Sequence, residues 1–183
     1  EPRAALDITV VPAMRQMLKR VLAGRTAIIV THDVLDAALL ADRVVVMDRG
    51  RVVEQGVTKE VLARPRSPFG ASISGLNLIG GIAEGGGVRT PNGTLVEGLF
   101  ADPLPDGEAA VAVFSPSAVG VYLEAPAGSP RNVFAATVTE LEPLGAQVRV
   151  QTPELSADVT LSAVAELDLM PGTAVHLSVK ASE

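Results

Sequence analysis

The chain has 183 residues and holds no cysteine, no tryptophan, two histidines and only 3% aromatic residues. Without cysteine, a disulfide framework, a thiolate nucleophile and a cysteine-ligated zinc are excluded together. With His32 and His176 as the only imidazoles, a His-rich metal site is not expected either, and no residue is assigned as a metal ligand. Long apolar runs are missing too. The richest stretches, Thr26 to Val30 and Val44 to Met47, stop far short of the roughly 18 to 20 residues that cross a bilayer. The first residues lack the basic-then-apolar order of a secretory leader, so a cytoplasmic location is the expectation.

Positive charge is scarce in one half. Residues 1–70 carry eleven Lys/Arg against eight Asp/Glu, whereas residues 71–183 carry four against thirteen, so the net charge passes from +3 to −9. Two units with different surfaces are expected. The acidic half is unsuited to nucleic acid, which requires a basic face to displace counterions, and no nucleic-acid partner is expected. An anion bound there must be held by a few placed groups. What the chain does have is 48% hydrophobic and 20% charged residues, the balance of a globular protein.

The periodicity over Ile8 to Leu22, with Val11, Met14, Met17, Leu18, Val21 and Leu22 at helical spacing, predicts a helix with Thr9 as its cap and its stripe in a core. Thr26 to Val30 reads as a strand buried in a parallel sheet. Asp33 can cap a helix over Val34 to Ala41. Arg43 to Met47 reads as a further buried strand, Arg51 to Gln55 as its hairpin partner, and Thr58 to Ala63 as a short helix. Beyond a junction rich in Pro and Gly at Pro65, Pro68, Gly70 and Gly75, short β-type runs follow at Leu78 to Ala83, Gly87 to Thr90, Ala109 to Phe114, Val119 to Leu123, Asn132 to Leu141, Ala146 to Thr152, Ala157 to Leu161 and Ala174 to Val179. Such spacing suits a small β-barrel, with a near-duplication in which Asn77 to Glu124 and Ser129 to Ser182 each supply a set of strands.

The opening Glu1-Pro2-Arg3-Ala4-Ala5-Leu6-Asp7, followed by a β-type run ending in Thr31-His32-Asp33, resembles the ATP-binding-cassette (ABC) ATPases of membrane transporters. Ala41 to Gly56 is similar to that family's closing hairpin. The resemblance implies a catalytic water-positioning carboxylate at Glu1, a D-loop aspartate facing the nucleotide and the partner subunit at Asp7, and a switch histidine contacting the γ-phosphate at His32. These roles fit phosphoryl transfer, which depends on positioning and charge neutralisation. No G-x-x-x-x-G-K-[ST] loop and no signature motif occur. The chain therefore reads as the C-terminal part of a longer ATPase, itself inactive alone, with ATP and magnesium bound in the longer parent.

In the second half, Ser129-Pro130-Arg131-Asn132 before a β-run, and Lys180-Ala181-Ser182 at the end, resemble the Mop-type, TOBE-like domain of molybdate importers. That resemblance implies an oxyanion site for molybdate or tungstate built from Ser129, Arg131, Asn132, Lys180 and Ser182. Pro130 stands where the family has alanine, which removes one backbone donor. Independently of any family, two of the acidic half's four cations, Arg131 and Lys180, fall in these two motifs, while Arg89 and Arg149 read as surface charges and His176 as structural. The alternative is that Arg131 and Lys180 pair with Glu140, Glu142 or Glu183 on a solvated surface.

The expected fold is thus the α/β C-terminal part of a P-loop NTPase-type ABC domain over 1–70, a linker and first TOBE-like segment over 71–127, and an all-β, OB-like Mop-type barrel over 128–183. The expected function is that of an importer ATPase subunit for molybdate or a similar oxyanion, with a regulatory oxyanion-sensing barrel. Its implied partners are a second ATPase subunit in a homodimer, a transmembrane permease that holds it at the inner face of the membrane and, indirectly, a periplasmic or extracellular substrate-binding protein. Two rival readings are a non-enzymatic molybdate-storage module on a vestigial ATPase stub, and an ABC ATPase for another cargo such as sulfate, a sugar or a polyamine.

Overall fold

The computed structural model describes residues 11–101, 103–128 and 131–181. The chain divides into two compact units, Glu1–Ser74 and Gly75–Glu183, the first mixed α/β and the second almost wholly β. No helix among the described residues is long and apolar enough to cross a membrane.

In the first unit, helix α1 (Val11–Leu22) is followed by α2 (Val34–Leu40), a hairpin of β1 (Arg43–Asp48) and β2 (Arg51–Val57), and helices α3 (Thr58–Ala63) and α4 (Pro68–Ser74). The hairpin turns on Arg49 and Gly50, both at positive φ, the two-residue geometry whose twist matches that of the strands. Thr58 joins the end of α2 to the start of α3, its hydroxyl donating to the Ala41 carbonyl at 2.7 Å. The Glu54 carboxylate accepts from the Arg66 and Ser67 amides and the Ser67 hydroxyl, fixing the entry to α4. A Cβ at Gly70 would meet Glu54 Oε2 at 2.7 Å and Ser67 Oγ at 2.8 Å, so a larger residue there would have to displace those side chains.

Three expectations for this unit are corrected. Thr26 to Val30 forms no strand, and Ile28 and Val30 are 95% and 73% exposed. A β-branched run is stabilised in a sheet only by a neighbouring ladder, and no described strand pairs with it. Strand β1 is not buried on both faces: Val44 and Val46 are half-buried while Val45 and Met47 are exposed, as a two-stranded hairpin covered on one side requires. No residue of α1 is buried, so its apolar stripe is not a core among the described residues. The cap expected at Thr9 lies outside the described residues.

The second unit contains two sets of strands with the same internal order. The first set, β3 (Asn77–Glu84), β4 (Gly87–Arg89), β5 (Leu95–Glu97) and β6 (Ala109–Phe114), forms a sheet ordered β5-β4-β3-β6. A short 3₁₀ turn and β7 (Val119–Tyr122) follow. The second set comprises β8 (Asn132–Thr137), β9 (Glu140–Leu144), β10 (Gln147–Gln151), β11 (Ser156–Thr160), helix α5 (Leu161–Glu166) and β12 (Ala174–Val179). The run expected from Asn132 to Leu141 is split because the chain changes partners at its middle. Val138 N donates to the Thr173 carbonyl beside β12, whereas Thr139 N donates to the Gln151 carbonyl of β10. With β8 and β9 taken as one bent strand, the order is β11-β10-(β9/β8)-β12, the order of the first set, and β7 adds to the free side of β12.

The larger core joins both sets, with Phe114 and Val119 packed among Val138, Val150, Leu155, Ala157, Val175, Leu177 and Val179. A smaller cluster of Ala83, Val88, Val96 and Ala110 lies within the first set, and Ile79 and Phe134 pack against both clusters. Each fully buried Val or Leu contributes roughly 1.5–3 kcal/mol by leaving water. The register of each set begins at an asparagine: Asn77 lies opposite Phe114 and Asn132 opposite Val179.

Candidate functional site

His32 sits where the extended segment from Thr26 enters α2, and the backbone on both sides of it is held by polar bonds. The Asp33 carboxylate caps α2, accepting from the Leu35 amide at 2.7 Å and the Asp36 amide at 3.3 Å, while its own N–H donates to the Thr31 hydroxyl at 3.0 Å. Thr31 in turn donates to Asp36 Oδ2 at 3.2 Å. Arg15 of α1 reaches across both acids, with Nη2 on Asp33 Oδ2 at 2.8 Å and Nε on Asp36 Oδ1 at 2.9 Å. Asp36 is 3% exposed, so this ion pair is shielded from water and charge-assisted. The His32 residue itself is solvent-exposed, and the residues on either side of it, Thr31 and Asp33, are held by these bonds. Sequence reasoning identified His32 and Asp33 but missed Arg15 and Asp36. The signal was a basic residue on the polar side of the first helix and an acid three residues after the cap. Glu1 and Asp7 lie outside the described residues.

In the second unit, antiparallel pairing of β12 with β8 ends with Val179 opposite Asn132. One step further along each chain, the same register brings Lys180 and Arg131 to the same end of the strand pair. The two motifs, separated by some fifty residues of sequence, are thus neighbours in space. Ser129 and Ser182 lie outside the described residues.

Asn132 is 3% exposed and its amide is engaged at both ends: Nδ2 donates to the Glu97 carbonyl and Oδ1 accepts from the Glu97 amide, both at 2.8 Å. The side chain thereby acts as one rung of a β-ladder on the end of β5. Clamping Glu97 in this way sets its carboxylate beside Arg131, whose Nη1 donates to Oε2 at 3.1 Å. Among the described residues Arg131 pairs with Glu97, not with the Glu140 or Glu142 considered from sequence, while Glu183 lies outside the described residues. Lys180 is exposed and has no ion-pair partner among the described residues. The Ala181 carbonyl lies near Gly98, 3.8 Å from where a Cβ on that glycine would sit, so the segment after β12 borders the one after β5.

The remaining two cations of this unit are committed elsewhere. Arg149 forms a two-point pair with Asp158 at 2.7 and 2.9 Å, and that hydrogen bonding raises its pKa although burial opposes it. Arg89 pairs with Glu84 at 2.5 and 3.1 Å, and its hydrogen bond holds the Glu84 carboxyl below the ordinary carboxylate range. His176, opposite Tyr122 and Ala135, has a buried Nδ1 with no hydrogen-bond partner. Among the described residues no three His, Asp or Glu side chains converge as a metal site would need.

Residues 128–183 match the TOBE domain family. The whole chain is 42% identical to 52% of the molybdenum import ATP-binding protein ModC of Mycobacterium tuberculosis. It is also 34% identical, again over its whole length, to 53% of the molybdate/tungstate import ATP-binding protein WtpC of Pyrococcus horikoshii. Over 60% of the chain it is 40% identical to a sulfate/thiosulfate import ATP-binding protein, CysA, of Brucella suis, covering 31% of that protein. The chain spans about half the length of the first two relatives. Among solved structures, the cytoplasmic molybdate-binding protein ModG with molybdate bound shares its fold, with a TM-score of 0.50 over 58% of this chain and 91% of that one at 24% identity.

Proposed function

We propose that the chain is a ModC-like C-terminal region of an ABC import ATPase carrying a TOBE domain, and that it belongs to a subunit that hydrolyses ATP to import molybdate or a similar oxyanion. Its second unit binds that oxyanion and adjusts transport to the amount already taken up. The observation that carries this reading is the strand register that delivers Arg131 and Lys180 to one end of β8 and β12 in an otherwise acidic unit. A tetrahedral dianion needs donors on several oxygens, and the two cations with the hydroxyls of Ser129 and Ser182 are donors of that kind. Asn132, its amide committed to Glu97, acts by positioning Arg131.

In the first unit, His32 donates toward the departing phosphate, Glu1 orients the attacking water and Asp7 faces a second subunit across the nucleotide. The network of Arg15, Thr31, Asp33 and Asp36 supports the first of these roles by fixing the approach of His32. Magnesium and the phosphates would be held by a P-loop, which the 183 residues do not contain. By this reading the subunit works as a homodimer on the inner face of a membrane permease, fed by a substrate-binding protein. Regulation requires the barrel to bind the anion more tightly in one arrangement of the transporter, because equal affinity for both would shift nothing.

Titration calorimetry of the chain with molybdate, tungstate, sulfate and phosphate tests the oxyanion role and separates the cargoes of the relatives. Silence toward all four removes it. In the complete subunit, His32→Ala is expected to lower ATP turnover about a hundredfold, the scale of losing one transition-state hydrogen-bond donor. Unchanged turnover would remove His32 from the chemistry.

A further inference from the structure

We propose that Glu97 is a built-in competitor for the oxyanion: its carboxylate holds Arg131 and must give way when the anion arrives. The inference rests on the oxyanion reading of Arg131 and Lys180 and goes beyond it. Exposed ion pairs usually wander, and Arg131 and Glu97 keep 68% and 38% of their side-chain surface in water. This one is held by something firmer. The Glu97 main chain is clamped at both its N–H and its C=O by Asn132, the residue next to Arg131, so carboxylate and guanidinium are presented to each other by a buried bond pair.

Glu97 lies on β5 of the first strand set and Arg131 enters β8 of the second, so the pair also ties the two sets together at the site. A dianion approaching Arg131 and Lys180 meets a guanidinium already neutralised and a negative charge beside it. Binding therefore exchanges one anion for another on Arg131. That exchange weakens the apparent affinity and frees the Glu97 side chain, which gives occupancy of the site a consequence in β5.

The test is calorimetry with sodium molybdate on the chain and on Glu97→Gln, Arg131→Ala and the double variant. Gln keeps the side-chain size and leaves the main-chain clamp untouched. Glu97→Gln is expected to tighten molybdate binding about three- to fivefold, the upper range for a single exposed charge pair. That gain is expected to shrink below about twofold once Arg131 is Ala. If the native chain binds molybdate and Glu97→Gln binds no tighter, or tightens equally without Arg131, the competitor role is overturned while the oxyanion reading stands. If no variant binds molybdate, both fall.

Discussion

The two strand sets of the second unit share a frame and differ in what they display on it. In each, an asparagine opens the long strand and lies opposite the last residue of the closing strand, Asn77 opposite Phe114 and Asn132 opposite Val179. Each asparagine also spends its amide on a strand of the other set. Asn77 Nδ2 donates to the Ser156 carbonyl and its Oδ1 accepts from the Ser156 amide, both at 2.8 Å, matching Asn132 on Glu97. The clamps are crossed, so each set is completed by the other. One step beyond the frame the sets diverge: the second set has Arg131 and Lys180 where the first has Leu76 and Ser115. The frame is repeated, and only the second copy carries cations at these two positions.

The comparison can be broken most severely at the clamps. Asn77→Ala and Asn132→Ala are each expected to cost about 2 kcal/mol of stability, because a part-buried backbone N–H and C=O lose their partners together. Chemical denaturation measures the loss. A negligible loss in one but not the other would show that the two clamps are not equivalent.

The next largest effect concerns display. Arg131→Ala is expected to weaken molybdate binding at least about tenfold, the scale of one charge-assisted contact, whereas Leu76→Ala leaves it unchanged. The complementary experiment grafts charge onto the first set. Leu76→Arg with Ser115→Lys is expected to raise the calorimetric stoichiometry from one molybdate to two, since the frame is already there and Ser156 brings no carboxylate to compete. A stoichiometry that stays at one would mean that the frame alone does not make a site.

The smallest effect separates the two remaining arginines. Arg149→Ala is expected to cost about 1–2 kcal/mol, since Asp158, only 8% exposed, would lose a two-point partner. Arg89→Ala should shift the unfolding midpoint less, its pair with Glu84 being open to water. Glu84 is held below its ordinary range, so its contribution is present above the unfolded carboxyl pKa and lost as pH falls through the folded one. The difference between Arg89→Ala and the native chain should therefore vanish in acid.

How much of this could be read from the sequence depends on whether the signal is local. The strands Ala109–Phe114 and Ala174–Val179 and the helix Thr58–Ala63 coincide with their expected bounds, because alternation, turn residues and short helical runs are properties of neighbouring residues. Strand β5 was missed, being three residues long and held by its partners. The bend that divides β8 from β9 was missed because a change of partner leaves no mark in alternation. Thr26 to Val30 shows the opposite failure: the residues suit a strand, and no described strand pairs with them. The candidate cations Arg131 and Lys180 were legible by motif. Glu97 and Asn77 were not, since both act on residues at least thirty-four positions away.

The most direct test of the central claim, that strand register makes an oxyanion site of Arg131 and Lys180, is a calorimetric titration of the chain with molybdate alongside Arg131→Ala and Lys180→Ala. One saturable site that each substitution weakens is the expected result. Binding that both substitutions leave unchanged, or no binding to the native chain, would contradict it.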